Sequence, residues 1–382
     1  MPETSEIEPL ALAAILLWVA VRTVGVEEEF LLVDPATGRP RAVGHAVLAT
    51  SAAEDAEDDL AAELHREQLE TGTKPCHTLD ELSAELRSAR ATAAAAAGDV
   101  GVALAPLATS PLAVEPTVSP SRRYEEMARR FGRTVSEQLT CGCHVHVAID
   151  SAEEGVAVLD RIRPWLAPLA ALSTNSPFWL GADSGYASFR SQVWQRWPSA
   201  GPYGPFGSIE RYRAFVDSVL DTGTVLDEGM VYLDARLSRQ YPTVEVRVAD
   251  VCREPDDAVL IAALTRALVQ TAVDAWRAGD QPDPVRTEVL RLAAWRAGRS
   301  GLEGDLLDPG SWRPTPAAEV VARLVEHVRP ALEVAGDVHT VRDLLAAVEA
   351  RGTGTRRQRK VYAKTGTLAA VVRDATDGTL VH

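Results

Sequence analysis

Cysteine is scarce in this sequence. Only four of the 382 residues are cysteines, too few and too scattered to form a disulfide framework. A reducing cytoplasm is therefore the expected location. The stretch Cys141-Gly142-Cys143 lacks the two-residue spacer of a zinc knuckle, and no second pair follows it. We interpret the thiols as strand residues.

Positively charged residues are also fewer than negatively charged ones. The chain carries 39 Lys and Arg against 54 Asp and Glu, which gives a net charge of -15. A nucleic-acid surface needs a basic field, so nucleic acid is not an expected partner. The sequence has no P-loop motif, no Gly-x-Gly-x-x-Gly after a strand and no Gly-x-Ser-x-Gly elbow. These absences argue against two common nucleotide sites and weaken the case for a serine hydrolase.

The apolar run at residues 9–21 is too short to span a bilayer comfortably. The residues before it include Glu3, Glu6 and Glu8 and no Lys or Arg, which is the wrong charge for a signal peptide. We therefore expect no membrane partner. We expect a leader of uncertain status over residues 1–21 and a single globular domain over residues 22–382.

The first chemically informative stretch is the predicted strand 23–34. It sets three consecutive carboxylates among Val, Phe and Leu, a pattern typical of a strand. Because side chains alternate along a strand, Glu27 and Glu29 leave from one face and Glu28 from the other. Two carboxylates on one face repel each other, and a hard divalent cation such as Mg²⁺ or Mn²⁺ relieves that repulsion. The alternative is an exposed strand edge with solvated acids.

A second acidic pair is Glu63 and Glu70. Residues 65–73 are predicted to form a strand, and the seven-residue spacing puts the two carboxylates on opposite faces of a regular strand. A change from helix to strand between them, or a bulge, is needed for the two side chains to converge.

Two later strands carry further candidates. The segment 143–149 alternates strictly, so His144 and His146 share one face and could bind a metal or contact phosphate. The alternative is a pair of hydrogen-bonded core histidines. In the strand 241–250, Glu245 and Arg247 share a face. They could form a structural ion pair, or beside a metal site they could act as a ligand and a phosphate clamp.

Aromatic residues are only 5% of the chain, yet they concentrate in the loop that follows Leu172. The loop also holds Arg190, whose planar fork suits a carboxylate or a phosphate. A long loop of this composition is typical of a substrate-binding segment, or of a loop that aromatic anchors pin to the body. The basic cluster 356–360 could be solvated or could close over an anionic ligand.

Helical segments complete the prediction. A capping box at Thr78–Glu81 starts a helix that runs to Ala97, and a second short extended segment is expected to end at Ala49. Further helices are predicted at 121–131, 152–172, 209–220, 256–278, 284–297, 315–334 and 340–351.

Six motifs, taken in order, resemble those of the type 2 glutamate–cysteine ligases, also called carboxylate–amine ligases. They are Gly25-Val26-Glu27-Glu28-Glu29-Phe30, Gln68-Leu69-Glu70, Cys143-His144-Val145-His146-Val147, Asn175-Ser176-Pro177-Phe178-Trp179, Tyr186-Ala187-Ser188-Phe189-Arg190 and Val244-Glu245-Val246-Arg247. The resemblance runs from about Arg22 to the C-terminus and includes Arg357-Gln358-Arg359.

The resemblance implies an α+β fold of glutamine-synthetase type, with a curved antiparallel sheet flanked by helices, and one catalytic domain over 22–382. It implies ATP and Mg²⁺, or Mn²⁺, as cofactors. The γ-carboxylate of L-glutamate would attack ATP to give an acyl phosphate, and L-cysteine would then form γ-glutamylcysteine. A ligase with another carboxylate or amine, a metal-dependent amide hydrolase and a non-catalytic nucleotide-binding protein are the alternatives. The expected partners are small molecules, and a homo-oligomer could form.

The resemblance also assigns roles to residues. It places metal ligands at Glu27, Glu29, Glu63, Glu70, His144 and Glu245. Catalytic roles fall to Arg247, which would bind the γ-phosphate, to Glu70, and to Arg190 as the candidate for a substrate carboxylate or phosphate. Cofactor binding falls to Arg247, His146 and Arg190.

Overall fold

The central sheet is antiparallel and carries the strands predicted from the sequence. The structure, a computed structural model, describes residues 21–51 and 60–379. A leader was expected over residues 1–21, and residues 1–20 of it lie outside the described residues. The strands are β1 (Val24–Val33), β2 (Leu60–Ala61), β3 (Gln68–Gly72), β4 (Ala103–Ala105), β5 (Gly142–Ala148), β6 (Phe178–Trp179), β7 (Ala182–Asp183), β8 (Ala235–Leu237), β9 (Thr243–Asp250), β10 (Asp305–Leu307) and β11 (Pro314–Pro316).

Seven strands form the main sheet in the order β2-β3-β1-β5-β9-β8, and β4 pairs with the end of β1. β6 with β7 and β10 with β11 form two small hairpins. With its flanking helices, this sheet confirms the predicted α+β class. The prediction of one domain over 22–382 stays a prediction.

The register of the sheet aligns the chemical residues of neighbouring strands. Glu29 of β1 lies opposite Glu70 of β3, and Glu27 of β1 lies opposite His144 of β5. His146 of β5 lies opposite Glu245 of β9. Because directly opposed side chains on one face lie close together, the register alone brings four carboxylates and two imidazoles into one row.

A bulge interrupts the pairing of β5 with β9. The register steps from Cys143–Ala249 to Val145–Val246, so β9 has one extra residue at this point. After the bulge Ala249 joins the core at 1% exposure. Val248, which was expected to face the core, is only partly buried. The bulge consists of Arg247 and Val248. Glu245 and Arg247 nevertheless line the same cleft.

The opposite face of the sheet packs on the main core. Val24, Val26, Val145 and Val147 point into it and meet the helix Pro255–Arg277. That helix is long and apolar enough to cross a membrane by composition, but 78% of its most apolar window is buried inside the protein. We therefore interpret it as a core helix.

The helices confirm most of the predicted segments. The Thr78–Glu81 capping box is present, with the Glu81 amide donating to the Thr78 hydroxyl at 3.1 Å. The α-helices lie at Gly44–Ser51, Leu79–Asp99, Arg122–Phe131, Arg133–Ser136, Ala152–Ile162, Leu166–Leu172, Arg190–Trp194, Ile209–Asp221, Pro255–Arg277, Thr287–Ser300, Ala317–Ala335, Val338–Arg351, Gly354–Thr365 and Leu368–Thr379, with 3₁₀ turns at Arg163–Trp165, Glu228–Met230 and Gly301–Glu303.

Three segments differ from the prediction. The extended segment expected to end at Ala49 is instead the helix Gly44–Ser51, whose Val47 is fully buried against the second core cluster. The predicted helix 152–172 is divided by a 3₁₀ turn that contains Pro164. The last two helices, over 354–379, were not predicted. The first of them is polar, and the second is short and buries Val371, Val372 and Ala375, so tertiary packing stabilises both.

The middle carboxylate of β1 forms a buried ion pair on the core face. Glu28 is 0% exposed and accepts hydrogen bonds from Arg90 at 2.8 and 2.6 Å. Arg90 also donates to the carbonyls of Cys252 and Arg253, which directly follow β9. One guanidinium therefore connects the first site strand to the end of the last one.

We expect Arg90→Met to destabilise the protein by about 3–5 kcal/mol, because it leaves the Glu28 carboxylate buried without its partner. Arg87→Met is the matched control, since Arg87 lies on the same helix as Arg90. Arg87 pairs with Asp256 at 2.7 Å, but this ion pair is partly exposed. Its cost should be below about 1 kcal/mol. Urea unfolding of both variants checks this, and equal costs would contradict it.

Candidate active site

The chemical residues of the sheet line one cleft of about 370 Å³. Because side chains alternate along each strand, the residues next to the buried valines point to the other face, where the cleft opens. The wall includes acids, imidazoles, guanidinium groups and aromatic rings: Glu27, Glu29, Glu63, Glu70, Arg123, Tyr124, His144, His146, Trp194, Trp197, Tyr232, Arg236, Arg239, Tyr241, Glu245 and Arg247.

The two histidines of β5 flank Glu27. His144 Nδ1 lies 3.5 Å and His146 Nε2 lies 3.3 Å from the Glu27 carboxylate. Burial would raise the pKa of Glu27, but its hydrogen bonds with His144 and His146 outweigh burial and hold the pKa well below its usual value. Burial, together with the positive charge of Arg247, lowers the pKa of His144 to about 4. At neutral pH the site thus holds an ionised Glu27 beside a neutral His144.

Three other carboxylates crowd together at the β1–β3 side of the cleft. Glu29, Glu63 and Glu70 each offer an oxygen within 4.8 Å of the others. Burial and the charge of Glu63 raise the pKa of Glu29 to about 7. Burial and the charges of Glu63 and Glu27 raise the pKa of Glu70 well above its usual value. Burial and repulsion between like charges therefore both disfavour ionisation in this corner, and burial has the larger effect.

Glu63 reaches this corner through the local chain path. It follows the short strand β2, which pairs with β3, and a turn at 66–67 separates it from Glu70. The Ser119 hydroxyl donates to the Glu63 carbonyl at 2.6 Å and fixes the segment. The required convergence of Glu63 and Glu70 is thus achieved by a turn between two short strands.

The donor set fits a hard divalent cation. Among the described residues, three groups each offer ligand atoms that lie within 4.8 Å of one another. They are Glu27 with Glu70 and His144, Glu29 with Glu63 and Glu70, and Glu27 with His146 and Glu245. The Nε2 atom of His144 is buried and has no hydrogen-bond partner among the described residues. Carboxylate oxygens supplemented by imidazole suit Mg²⁺ or Mn²⁺. Every residue predicted as a metal ligand belongs to one of these groups.

Arg247 lies at the other end of the cleft, beside Glu245. The two side chains form an ion pair, and Arg236 donates to the same carboxylate at 2.7 Å. Burial would raise the pKa of Glu245, but Arg247 and Arg236 together hold it well below its usual value. The Arg247 guanidinium also lies 5.8 Å from the centre of the Trp194 ring. Of the two alternatives for Glu245 and Arg247, the ion pair is observed, and a place in a metal site stays a prediction.

Arg190 lies beneath the cleft and does not line it. Its Nη1 is 3.9 Å from Asp250, and its Nη2 would lie 2.3 Å from a Cβ added to Gly142. It lines a small adjoining cavity of about 50 Å³ together with Asp234 and Arg247. The nearby amide of Gly142 donates to Glu29 at 2.6 Å. Arg190 Nη2 donates to the Arg247 carbonyl at 3.5 Å. Its direct contact with substrate stays a prediction.

The aromatic loop is anchored to the body, and its role in substrate binding stays a prediction. Trp194 and Trp197 reach the cleft wall. Tyr186 and Trp179 instead pack on Phe189, with ring centres 5.6 and 5.7 Å apart, and anchor the loop. Sequence reasoning named the loop but did not separate the two groups.

Several cleft residues were missed, and one predicted cluster lies elsewhere. Arg123 was assigned to an exposed charged helix, and Arg236 lies on the three-residue strand β8, too short to be predicted. Within the described residues, the cleft wall does not include the basic cluster 356–360. There Arg357 pairs with Asp374 and Arg359 with Asp183.

Comparison with known proteins identifies the family. A model of "Glutamate-cysteine ligase family 2" matches residues 23–374. A protein of Streptomyces coelicolor, provisionally named glutamate–cysteine ligase 2, is 56% identical over 353 residues, 92% of this chain and 97% of the relative. A protein of Paenarthrobacter aurescens, provisionally named glutamate–cysteine ligase 2-1, is 49% identical over 367 residues, 94% of this chain and 96% of the relative.

Solved structures show the same fold. The glutamate–cysteine ligase of Francisella tularensis, in complex with AMP, has a TM-score of 0.66 and 13% identity and covers 95% of this chain and 89% of its own. The bifunctional glutathione synthetase of Pasteurella multocida also has a TM-score of 0.66, with 16% identity, and covers 96% of this chain and 53% of its own. The fold is the glutamine-synthetase-like fold of these ligases. The family match and the two bacterial relatives show that this chain belongs to glutamate–cysteine ligase family 2 and is an ATP-dependent carboxylate–amine ligase.

Proposed function

We propose that this enzyme joins L-glutamate to L-cysteine and forms γ-glutamylcysteine, ADP and phosphate. The observation that carries the proposal is the row of acids and imidazoles across β3, β1, β5 and β9, which ends at Arg247. The names of the relatives support the choice of substrates. The proposed location is the cytoplasm.

The reaction needs ATP because an amine cannot expel oxide from a carboxylate. Transfer of the γ-phosphoryl group to the γ-carboxylate converts that oxygen into phosphate, a good leaving group. The amine nitrogen then attacks the carbonyl carbon, the bond to the phosphate oxygen breaks, and the amide forms. A bound divalent cation would neutralise the polyphosphate and the charge that develops during transfer.

We assign the metal to Glu27, Glu29, Glu63, Glu70, His144 and Glu245. We further propose that Arg247 binds the γ-phosphate, since its fork is preorganised by Glu245 and Trp194. His146, whose Nδ1 lies 2.9 Å from the Thr243 hydroxyl, is held at the same wall and would contact the nucleotide or its metal. Trp194, Trp197 and Tyr232 would keep water from the acyl phosphate.

The proposal is tested by incubating the protein with ATP, Mg²⁺ and a panel of paired amino acids. Release of ADP and the product masses are measured. The expected result is rapid ADP release with glutamate and cysteine and a product of the mass of γ-glutamylcysteine. ADP release only with a different pair of amino acids would contradict the proposed substrates. Formation of product in the absence of ATP would indicate a hydrolase.

Removal of one charge from the acid row should abolish turnover. We expect Glu27→Gln and Glu70→Gln to lower kcat by at least about 100-fold, because each removes a carboxylate that belongs to two ligand groups. Folding should survive, since glutamine keeps the shape of the side chain and Glu70→Gln also relieves repulsion in this corner. Thermal unfolding is the control measurement, and Glu153→Gln is the matched exposed variant. Wild-type turnover in either site variant would remove that residue from the site.

The guanidinium fork of Arg247 should matter more than its charge. We expect Arg247→Lys to lower kcat by about 100-fold, because an ammonium cannot replace a bidentate fork that also stacks on an indole. Steady-state kinetics with ATP varied checks this. Unchanged kinetics would leave Arg247 as a structural partner of Glu245 alone.

Metal binding should release protons near neutral pH. Because Glu29 has a pKa of about 7, it is largely protonated in the metal-free protein at pH 6.5, and the pKa of the neighbouring Glu70 is also raised well above its usual value. Ligands must lose those protons to bind, so affinity for Mn²⁺ should rise as pH rises through about 7. Titration calorimetry with Mn²⁺ at pH 6.5, in two buffers of different ionisation heat, measures the number of protons released. Glu29→Gln should reduce that number. Equal heats in both buffers would contradict the assignment.

A further inference from the structure

The small cavity behind the cleft wall gathers three buried guanidinium groups. It has a volume of about 50 Å³ and is lined by Arg163, Arg190 and Arg247 together with mostly apolar side chains. The three arginines are 3%, 2% and 8% exposed, respectively. Arg247 and Trp194 line both the cleft and the cavity, so these two side chains form the wall between the two spaces.

The positive charge around this cavity is only partly balanced. Arg190 Nη1 lies 3.9 Å from Asp250, whose carboxylate already accepts two hydroxyl hydrogen bonds at 2.8 Å. Arg247 shares its counter-ion with Arg236. Arg163 donates to four carbonyl oxygens, at distances from 2.6 to 3.4 Å, and to no carboxylate of residues 21–51 and 60–379. Because a buried charge is costly unless it is paired, the cavity favours an anion.

Two N–H donors beside the cavity lack an acceptor. The Nε atoms of Arg190 and Arg247 are buried and have no hydrogen-bond partner in the part of the chain that the structure describes. The two guanidinium carbons lie 5.6 and 5.8 Å from the centre of the same Trp194 ring. Two like charges held beside one indole repel each other, and an anion that accepts from both Nε atoms would relieve this repulsion.

The acid that lines the cavity cannot fully supply the missing charge. Burial raises the pKa of the Asp234 carboxyl to about 7, against the opposing effects of Arg291 and Arg190. This carboxyl is therefore only partly ionised at neutral pH. Its protonated form carries an O–H group, which can donate to an anion.

We propose that this cavity binds one monovalent anion of halide size, chloride in ordinary buffers, between the guanidinium groups of Arg190 and Arg247. The volume admits a single small ion but is too small for a nucleotide or an amino acid. The ion would hold Arg247 from the side opposite the cleft. This anion site goes beyond the proposed function, because it does not depend on which carboxylate and amine the enzyme joins.

Anomalous diffraction at the bromine absorption edge tests the location of the ion. Crystals of the full chain soaked in sodium bromide should show a bromine peak in the cavity, in contact with the Nε atoms of Arg190 and Arg247. The peak should remain when Mg²⁺ and a non-hydrolysable ATP analogue are bound, because the cavity lies behind the cleft wall. Water alone in the cavity, or loss of the peak when the analogue binds, would overturn the inference.

Isosteric changes of charge at the cavity test the chemistry in solution. Gln195 lines the cavity, and Gln195→Glu adds a carboxylate there without changing the shape of the side chain. We expect this variant to lose the bromine peak and to bind chloride at least about tenfold more weakly, as measured by chloride NMR line broadening. Asp234→Asn, which removes a competing negative charge, should bind chloride at least as tightly as the wild-type protein.

A matched control separates the anion site from general effects of charge. Gln192→Glu makes the same change three residues earlier, at a side chain outside the cavity lining, and should leave chloride binding unchanged. Thermal unfolding of each variant checks that it folds. Equal chloride binding by the wild-type protein and Gln195→Glu would show an adventitious ion only and contradict the proposal. These readouts do not involve turnover, so they do not depend on the proposed substrates.

Discussion

Repulsion between carboxylates is the constraint on which this structure depends. Glu29, Glu63 and Glu70 are held within 4.8 Å of one another, in surroundings that raise the pKa of both Glu29 and Glu70. Such an arrangement is unfavourable unless the rest of the fold enforces it. The enforcing elements lie on the opposite face of the sheet, where buried valines and the Glu28–Arg90 pair fix β1 against the core. The acids therefore stay ready for a cation without rearranging.

The site follows from the register of four strands. β3 and β1 supply the crowded acids, β5 supplies the imidazoles, and β9 supplies Glu245 and Arg247. One end of the row is thus acidic and the other carries a guanidinium. This gradient suits a metal–polyphosphate complex, whose cations face the acids and whose γ-phosphate faces Arg247.

Strand periodicity predicted the parts of this arrangement that depend on local alternation. Glu27 with Glu29, His144 with His146, and Glu245 with Arg247 were each assigned to a shared face from the sequence. The contacts between distant segments could not be predicted in this way. Arg90 reaches Glu28 across 62 residues, and Arg123 reaches Asp227 across 104, with no local pattern to mark either pair. Arg190 was predicted as a substrate contact because its chemistry suits one, but the fold places its side chain beneath the cleft.

The central claim is that strands β1, β3, β5 and β9 together bind divalent metal beside a nucleotide. Anomalous diffraction from crystals grown with Mn²⁺ and a non-hydrolysable ATP analogue tests it most directly. The account predicts manganese peaks within the cleft, coordinated by Glu27, Glu70 and His144, with the γ-phosphate next to Arg247. Manganese bound elsewhere, with only water among these side chains, would contradict it.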